Sequence, residues 1–570
     1  MEHKTENRIC QNCKKDFTIE PDDFLFYEKI KVPPPTFCPE CRLQRRLIWM
    51  KMFRLYKRKC DLCGIEKISM YSPELPYIIY CSECWWSDKW DPEDYAQDYD
   101  FSRPFFEQFD EYLHKVPMRG LAISKETSLL SPYTNHCDHS KNCSLIFYSD
   151  YNENVQNGFY LARDKDVLDS SVIWECEECF DNLNGFRNYN VHGSRGNVHN
   201  SLDSYFLKDC KNVQNCFGSS NLYNKKYVLF NKQLSKKEYE KEISKIDLGS
   251  YETYQNMKTL SKEAWDKSLV HPCYDYIFTE NCTGNYVFYS KNCKECYDSG
   301  YCENCKYILL IKNPNVKDSY DYTDWGEGAE RIYESITAGN LVNDIKFSQD
   351  INNSSFVEYS KSCMSSKNLF GCIALRNKNY YIFNKKYTPN DFHILREKII
   401  QQMMDTPFTD KYGCVYKYGE FFPMSLSPHF YNDTFAHMFS PLGKEIVEKM
   451  GLNWTEFPEY QYKTTLTIKD LPDYIKNVKD SILAEVIECS TCSRGYFINK
   501  QELSFLRKHN FPLPRSCPFC RIEDKIKIWV KQLRLIKREC DSCGKEFRTH
   551  YTKKEAQKIY CIKCYQKEVH

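Results

Sequence analysis

Cysteine pairs at fixed spacing constrain this chain more than any other feature. Near the N-terminus they read Cys10-x-x-Cys13, Cys38-x-x-Cys41, Cys60-x-x-Cys63 and Cys81-x-x-Cys84, with spacers of 24, 18 and 17 residues. Near the C-terminus they read Cys489-x-x-Cys492, Cys517-x-x-Cys520, Cys540-x-x-Cys543 and Cys561-x-x-Cys564, with spacers of 24, 19 and 17 residues. The intervening text matches as well: "CPECR" against "CPFCR", "RLYKRKCDLCG" against "RLIKRECDSCG", "IYCSEC" against "IYCIKC". One module has been duplicated. Two residues between thiolates let a tight turn present both sulfurs to a tetrahedral Zn²⁺, and a second such turn closes the site. A closed four-cysteine site has no open coordination position, so it stabilises a short segment rather than catalysing. Two zinc ions are expected at each end, four per chain. Sequential pairing, first knuckle with second and third with fourth, suits the size of one ribbon. A cross-braced arrangement uses the same residues and stays open.

The remaining bulk features fit a folded intracellular chain. At 570 residues with 15% aromatic side chains it can bury several cores. No apolar run approaches the roughly 18 residues of a membrane span, and "MEHKTENRIC" lacks the apolar core of a secretory signal. A cytoplasmic location is expected, where the 31 cysteines are ligands or buried thiols rather than disulfides. The net charge of +1 hides an asymmetry: residues 1–90 carry +3, residues 485–570 carry +9, and the stretch between them −11. Basic ends suggest nucleic acid, or docking on the chain's own acidic middle.

The stretches "CQNCKKDFTIEPDDFLFYEKIKVPPPTFCPECRLQRR" and "CSTCSRGYFINKQELSFLRKHNFPLPRSCPFCR" resemble the zinc-ribbon domain found in many bacterial proteins. The shared frame is C-x-x-C, an aromatic four residues on, an acidic aromatic stretch and P-x-x-C-P-x-C-R. The wider layout, with "YGEFFP" and a closing "IYCIKCYQKEV", is similar to that of large proteins of candidate-phyla bacteria. The resemblance implies zinc and no particular activity.

Between the paired ribbons lie basic connectors. Residues 42–59, "RLQRRLIWMKMFRLYKRK", hold eight Arg or Lys and no acid. In residues 521–539, Ile522, Ile526, Trp529, Leu533 and Ile536 fall on one helical face, which leaves Lys525, Lys531, Arg534 and Arg538 on the surface. A cationic helix held between ribbons could grip phosphates; a solvated face over a small core is the plainer alternative. The candidate nucleic-acid contacts are Arg42, Arg45, Arg46, Arg54, Lys57, Arg58, Lys531, Arg534, Lys537 and Arg538. RNA is favoured over DNA, because no recognition-helix motif is visible and Trp85, Trp86 and Trp90 could stack on exposed bases.

The middle is duplicated too. "CKNVQNCFGSSNLYNKKYVLFNKQLSKKEY" from Cys210 aligns without a gap on "CMSSKNLFGCIALRNKNYYIFNKKYTPNDF" from Cys363, at an offset of 153 residues. Each copy then enters a helix through a capping signal, Ser235-x-x-Glu238 and Thr388-x-x-Asp391. Within the copies a shorter unit recurs, apolar-x-x-small, often flanked by Asn or Asp. Examples are Val155-x-x-Gly158, Val167-x-x-Ser170, Cys176-x-x-Cys179 and Val213-x-x-Cys216. Cysteine thus occupies slots that elsewhere hold valine, serine or glycine, an exchange open to a small buried residue and closed to a metal ligand. Cys293-x-x-Cys296 and Cys302-x-x-Cys305 are accordingly expected to be stacked interior thiols rather than a fifth zinc site.

Short repeats with Asn, turns and inward small residues suggest a β-solenoid or parallel β-helix; a generic mixed α/β domain is the fallback. The expected class is therefore mainly β: a central solenoid with flanking helices and double zinc-ribbon modules at both termini. The boundaries fall at 1–90 (module), 91–134 (helical or loop connector), 135–250 and 251–405 (solenoid halves, each with a closing helix), 406–484 (loop-rich connector) and 485–570 (module). The expected function is a non-enzymatic scaffold that contacts RNA or a ribonucleoprotein through its basic ends. The alternative is a carbohydrate- or nucleotide-acting enzyme using "YGEFFPMSLSPHFYNDTFAHMF", residues 418–439, where Glu420, His429, Asn432, Asp433 and His437 gather. An ordered connector, whose polar groups tie down a loop, is the plainer and favoured reading of that cluster. No phosphate-binding loop, dinucleotide fingerprint or nucleophile elbow is present.

Overall fold

Left-handed backbone at every third residue sets the architecture of the middle of the chain. The computed structural model describes all residues except 1–2, 124–126, 269, 273–275, 278–279, 281, 283, 289–295, 301–308, 312–322, 324–329, 457–461, 533–535 and 570. From Leu130 to Asn190, every third residue has φ between +48° and +61°. Asn and Asp tolerate this region because their short side chains bond locally, and Asn154, Asn157, Asp166, Asp169, Asp181, Asn184 and Asn190 all occupy it. The flanking Asn and Asp of the sequence repeat are these corner residues.

The residue after each corner points inward. Val155, Gly158, Leu161, Asp164, Val167, Ser170, Ile173, Cys176, Cys179, Asn182 and Gly185 form one buried series at a period of three. Paired strands are parallel and offset by twelve residues, as in Val167↔Val155 and Ser171↔Leu183, with steps of thirteen at Tyr189↔Leu202 and Gly185↔Val198. Four corners therefore separate one strand residue from its partner. Identical slots line up along a column, and the apolar ones form a core of Cys143, Val155, Leu161, Val167, Ile173, Cys179, Val191 and Val198.

Contacts divide the chain into two compact units. One unit comprises residues 1–121 and 274–456, the other residues 122–273 and 457–570. Each unit thus joins a terminal module to the repeat that is not its sequence neighbour. In the second unit, an eight-stranded sheet runs from Asn135–Asp138 to Lys208–Lys211 and a five-stranded sheet holds Tyr189–His192 through Lys232–Gln233. In the first, a six-stranded sheet holds Glu330–Tyr333 through Lys385–Lys386. Each repeat closes with an antiparallel strand, Val228↔Gln233 and Tyr381↔Lys386. A capped helix follows: Ser235 accepts from the Glu238 amide and Thr388 from the Asp391 amide, as the sequence predicts.

Helices take a larger share than the mainly β expectation allowed, so the class is mixed α/β with large parallel sheets. The helices Phe105–Lys115, Tyr251–Ser268, Pro389–Asp405 and Pro518–Gln532 pack apolar faces onto the units. Phe105 and Phe109, both buried, stack on each other and meet Phe383 edge-on in the first unit. Among the described residues, no helix is long and apolar enough to cross a membrane.

Candidate metal centres and their surroundings

Sixteen terminal cysteines gather into four groups. They are Cys10, Cys13, Cys38 and Cys41; Cys60, Cys63, Cys81 and Cys84; Cys489, Cys492, Cys517 and Cys520; and Cys540, Cys543, Cys561 and Cys564. Within each, all four sulfurs lie within 4.8 Å of one another. The pairing is sequential, first knuckle with second and third with fourth. Local sequence explains the shape. A short antiparallel hairpin (Glu6–Ile9 with Asp16–Ile19, Tyr56–Lys59 with Glu66–Ser69, Ile487–Glu488 with Gly495–Tyr496, Ile536–Glu539 with Glu546–Thr549) carries the first knuckle at its turn. The second knuckle opens a helix whose residue before N1 is itself a ligand, as Cys38 and Cys81 are.

The donor set fits a tetrahedral thiophilic ion. Four sulfurs about 2.3 Å from a tetrahedral Zn²⁺ sit about 3.8 Å apart. The observed separations are 3.7 Å for Cys13–Cys38, 3.8 Å for Cys492–Cys517, 3.9 Å for Cys489–Cys520 and 3.7 Å for Cys543–Cys561. Backbone amides donate to the first cysteine of each group: Cys38 to Cys10 at 3.3 Å, Cys81 to Cys60 at 3.2 Å, Cys517 to Cys489 at 3.1 Å and Cys561 to Cys540 at 3.2 Å. Such donors favour the thiolate, the form that binds metal. Burial raises Cys60 and Cys540, but the surrounding amides outweigh it and bring them down to about 7 and about 6. Cys10 and Cys489 fall lower still through their neighbouring cysteines.

Cysteines of the repeats belong to a different chemistry. Each one whose side chain is described donates its S–H to the carbonyl two residues back, as do Cys176 to Trp174 and Cys179 to Glu177, both at 3.3 Å, and Cys363 to Lys361 at 3.4 Å. Slot serines make the same bond, Ser149 to Phe147 at 2.8 Å and Ser170 to Leu168 at 3.1 Å. They also accept an amide from the next level, Leu161 to Ser149 and Asn182 to Ser170, each at 3.1 Å. Burial pushes Cys143 and Cys216 up to about 11 and Cys372 up to about 12. These are protonated fillers. The pair Cys302 and Cys305 lies outside the described residues, as does Cys293; Cys296 starts the strand Cys296–Gly300.

The structure turns most of the candidate nucleic-acid residues inward. Arg42, Arg45 and Arg46 are buried on the helix Pro39–Leu47. Arg45 pairs with Glu334 and, at 2.8 Å, with Glu420, while Arg46 pairs with Glu334 at 3.0 Å. Arg54 is part-buried with Nε 4.0 Å from Asp433. Arg58 donates to the carbonyls of Ser72 and Tyr77, and Arg538 to those of Thr552 and Ala556. Lys57, Lys531 and Lys537 are exposed, Lys531 beside Glu555. Arg534 lies outside the described residues. The expected single helix over 521–539 is instead the helix Pro518–Gln532 and the strand Ile536–Glu539. The change from helix to strand before Cys540 breaks the apolar face: Ile522, Ile526 and Trp529 are buried but Ile536 is exposed. Lys525, expected on the surface, is buried against Asp181 at 2.8 Å. Trp85 is buried, and Trp86 already carries the guanidinium of Arg376, 4.4 Å from its ring centre.

The 418–439 cluster ties one unit together. Glu420 accepts from the Thr36 amide at 2.8 Å as well as from Arg45. Asp433 meets Lys51 and Tyr56, His429 stacks on Tyr71, and Asn432 exchanges two bonds with the Thr455 backbone. His437 stands edge-on to Tyr431 and Trp454. Every one of these groups is engaged in holding the N-terminal module or a loop, as an ordered connector would be. The acids that receive the buried cations, Glu334 and Asp181, escape sequence reasoning. Their only signal is an acid at the same slot of both repeat copies, at the offset of 153.

No family model matches this chain, and no curated protein matches it. Among solved structures, a protein of Desulfovibrio desulfuricans G20 proposed to be an acetyltransferase is similar over 54% of this chain and 78% of its own, at 9% identity and a TM-score of 0.11. That likeness carries no argument about fold or function.

Proposed function

We propose that this protein is a non-enzymatic scaffold in which four structural zinc ions hold two ribbon modules and the repeats wind as solenoids. The observation that carries the reading is the set of four-cysteine groups, each closed by its thiols with no fifth position for substrate. The solenoid reading is supported by the twelve-residue offset, the four left-handed corners per step and the buried column of slot residues. Stacked slots of this kind build an extended, regular surface, which suits binding rather than turnover.

RNA is the proposed partner, now through a smaller set of cations. Support comes from the exposed Lys57, Lys531 and Lys537. Two experiments test the reading. Elemental analysis of the purified full chain should find four zinc ions; none would end it. Binding to single-stranded RNA should weaken with salt, and Lys531→Gln with Lys537→Gln should reduce the slope of log K against log salt by about 1.4, or about 0.7 for each phosphate that no longer meets a lysine. Wild-type protein with no salt-dependent RNA affinity would remove RNA and leave the zinc scaffold standing.

A further inference from the structure

Metal ligands and buried cations share one helix. In the N-terminal module, the helix Pro39–Leu47 starts directly after ligand Cys38, carries ligand Cys41 in its first turn and then presents Arg42, Arg45 and Arg46. All three guanidinium groups converge on Glu334, whose side chain is fully buried; Arg42 lies 3.6 Å away and Arg46 3.0 Å. The C-terminal module repeats the device. The helix Pro518–Gln532 starts after ligand Cys517, carries Cys520, and presents Arg521 to Asp169 and Glu502 and Lys525 to Asp181.

The two devices occupy equivalent positions. Glu334 and Asp181 are 153 residues apart, the offset of the repeats, and Arg46 and Lys525 are 479 apart, as are Cys38 and Cys517. A chance ion pair would not recur at both offsets at once. The pair has also kept its sign while changing its chemistry, from Arg–Glu to Lys–Asp.

We infer that Glu334 and Asp181 are docking carboxylates coupled to metal capture. Ion binding by Cys10, Cys13, Cys38 and Cys41 and closure of the helix Pro39–Leu47 onto its repeat are one step; the C-terminal centre is coupled to Asp181 more weakly, because Asp181 also pairs with Arg195 and Lys258, each at 2.9 Å, outside that helix. The inference rests on reading the four-cysteine groups as zinc sites. The physical argument is mutual dependence. Without metal, only a few hydrogen bonds, such as that from the Cys38 amide to Cys10, join the two knuckles, so the start of the helix is weakly fixed. With the helix packed on its repeat but out of register, Glu334 is a buried carboxylate without its three guanidinium partners, a costly state. Each event therefore removes the penalty of the other, and linkage requires the effect to be equal in both directions.

The test uses the full chain and zinc itself. Zinc is transferred from wild type and from Glu334→Gln to a chromophoric chelator, and amide exchange over residues 330–339 is followed in wild type before and after metal removal. Coupling predicts that one of the four ions leaves the variant at least about ten-fold more readily, the scale on which outer partners of metal ligands act. It also predicts that amides 330–339 lose protection when wild type is stripped. If the variant does not fold, the exchange measurement on wild type decides alone. Four ions bound, with transfer unchanged in the variant and exchange at 330–339 indifferent to metal, would overturn the coupling while sparing the zinc scaffold. A wild type that binds no zinc would sink both.

Discussion

Two cysteine substitutions in one unit should separate ligand thiols from filler thiols. Cys176 and Cys179 form a C-x-x-C pair that looks, in sequence, like any zinc knuckle, yet both are buried slots whose S–H groups bond Trp174 and Glu177 carbonyls. Serine already fills equivalent slots with the same bond to the carbonyl two residues back, as Ser170 does. Cys176→Ser with Cys179→Ser therefore keeps both hydrogen bonds and removes only the bulk of sulfur over oxygen. A buried change of about one methylene costs about 0.5–1.5 kcal/mol, so the double variant should lose about 1–3 kcal/mol. Cys489→Ser is a different matter. A structural zinc site contributes on the order of 10–16 kcal/mol of apparent binding energy, and three thiolates retain only part of it. Elemental analysis should therefore find four zinc ions in wild type, four in the slot double and three in Cys489→Ser. Denaturant titration should place the slot double slightly below wild type. An ion lost from the slot double, or four ions kept by Cys489→Ser, would refute the distinction. A wild-type count of five or six would mean that the 291–307 cysteines bind metal after all.

Two further outcomes follow from the repeats. Glu358 is held at about 2, against an ordinary value of 4.5, because Lys346 and Arg396, with Tyr418, outweigh the effect of its burial. A depressed carboxylate contributes stability that is whole above about pH 4.5 and is lost as pH falls toward 2, here on the order of 3 kcal/mol. Glu358→Gln should flatten that acid limb in denaturation curves, and an unchanged limb would show that the pair does not matter. Gly158→Ala should cost about 1–3 kcal/mol by overpacking, since its Cβ would stand 2.4 Å from a Leu161 methyl and 2.5 Å from the Ser170 carbonyl oxygen; a midpoint equal to wild type would mean the slot has room.

How much of this was legible in the sequence depends on the range of each interaction. Metal ligation is local in pattern and strict in chemistry, so spacing alone picked out all sixteen cysteines and left only their pairing, sequential or cross-braced, to the structure. The slot exchange of Cys with Val, Ser and Gly likewise reported burial, and the structure supplies its reason. From Tyr133 to Asn190 a buried residue follows every left-handed corner, and apolar-x-x-small is two consecutive members of a period-three series. That period stayed hidden because Gly158, Asp164, Ser170 and Asn182 are all inward, and no hydropathy pattern unites them. What they share is a backbone position. The arginines misled for the opposite reason. Eight cations without an acid within residues 42–59 look like a solvated or phosphate-binding face when only neighbours in sequence are counted. Their countercharges, Glu334, Glu420 and Asp433, lie some 290–380 residues away in the chain. A buried cation cannot be told from an exposed one by its own segment, because the acid that makes burial tolerable comes from elsewhere. The mean charge of a module is therefore a poor guide to its surface. Here the −11 of the middle and the positive ends partly neutralise one another inside each unit, and only the cations left over, such as Lys57 and Lys537, remain exposed to a partner.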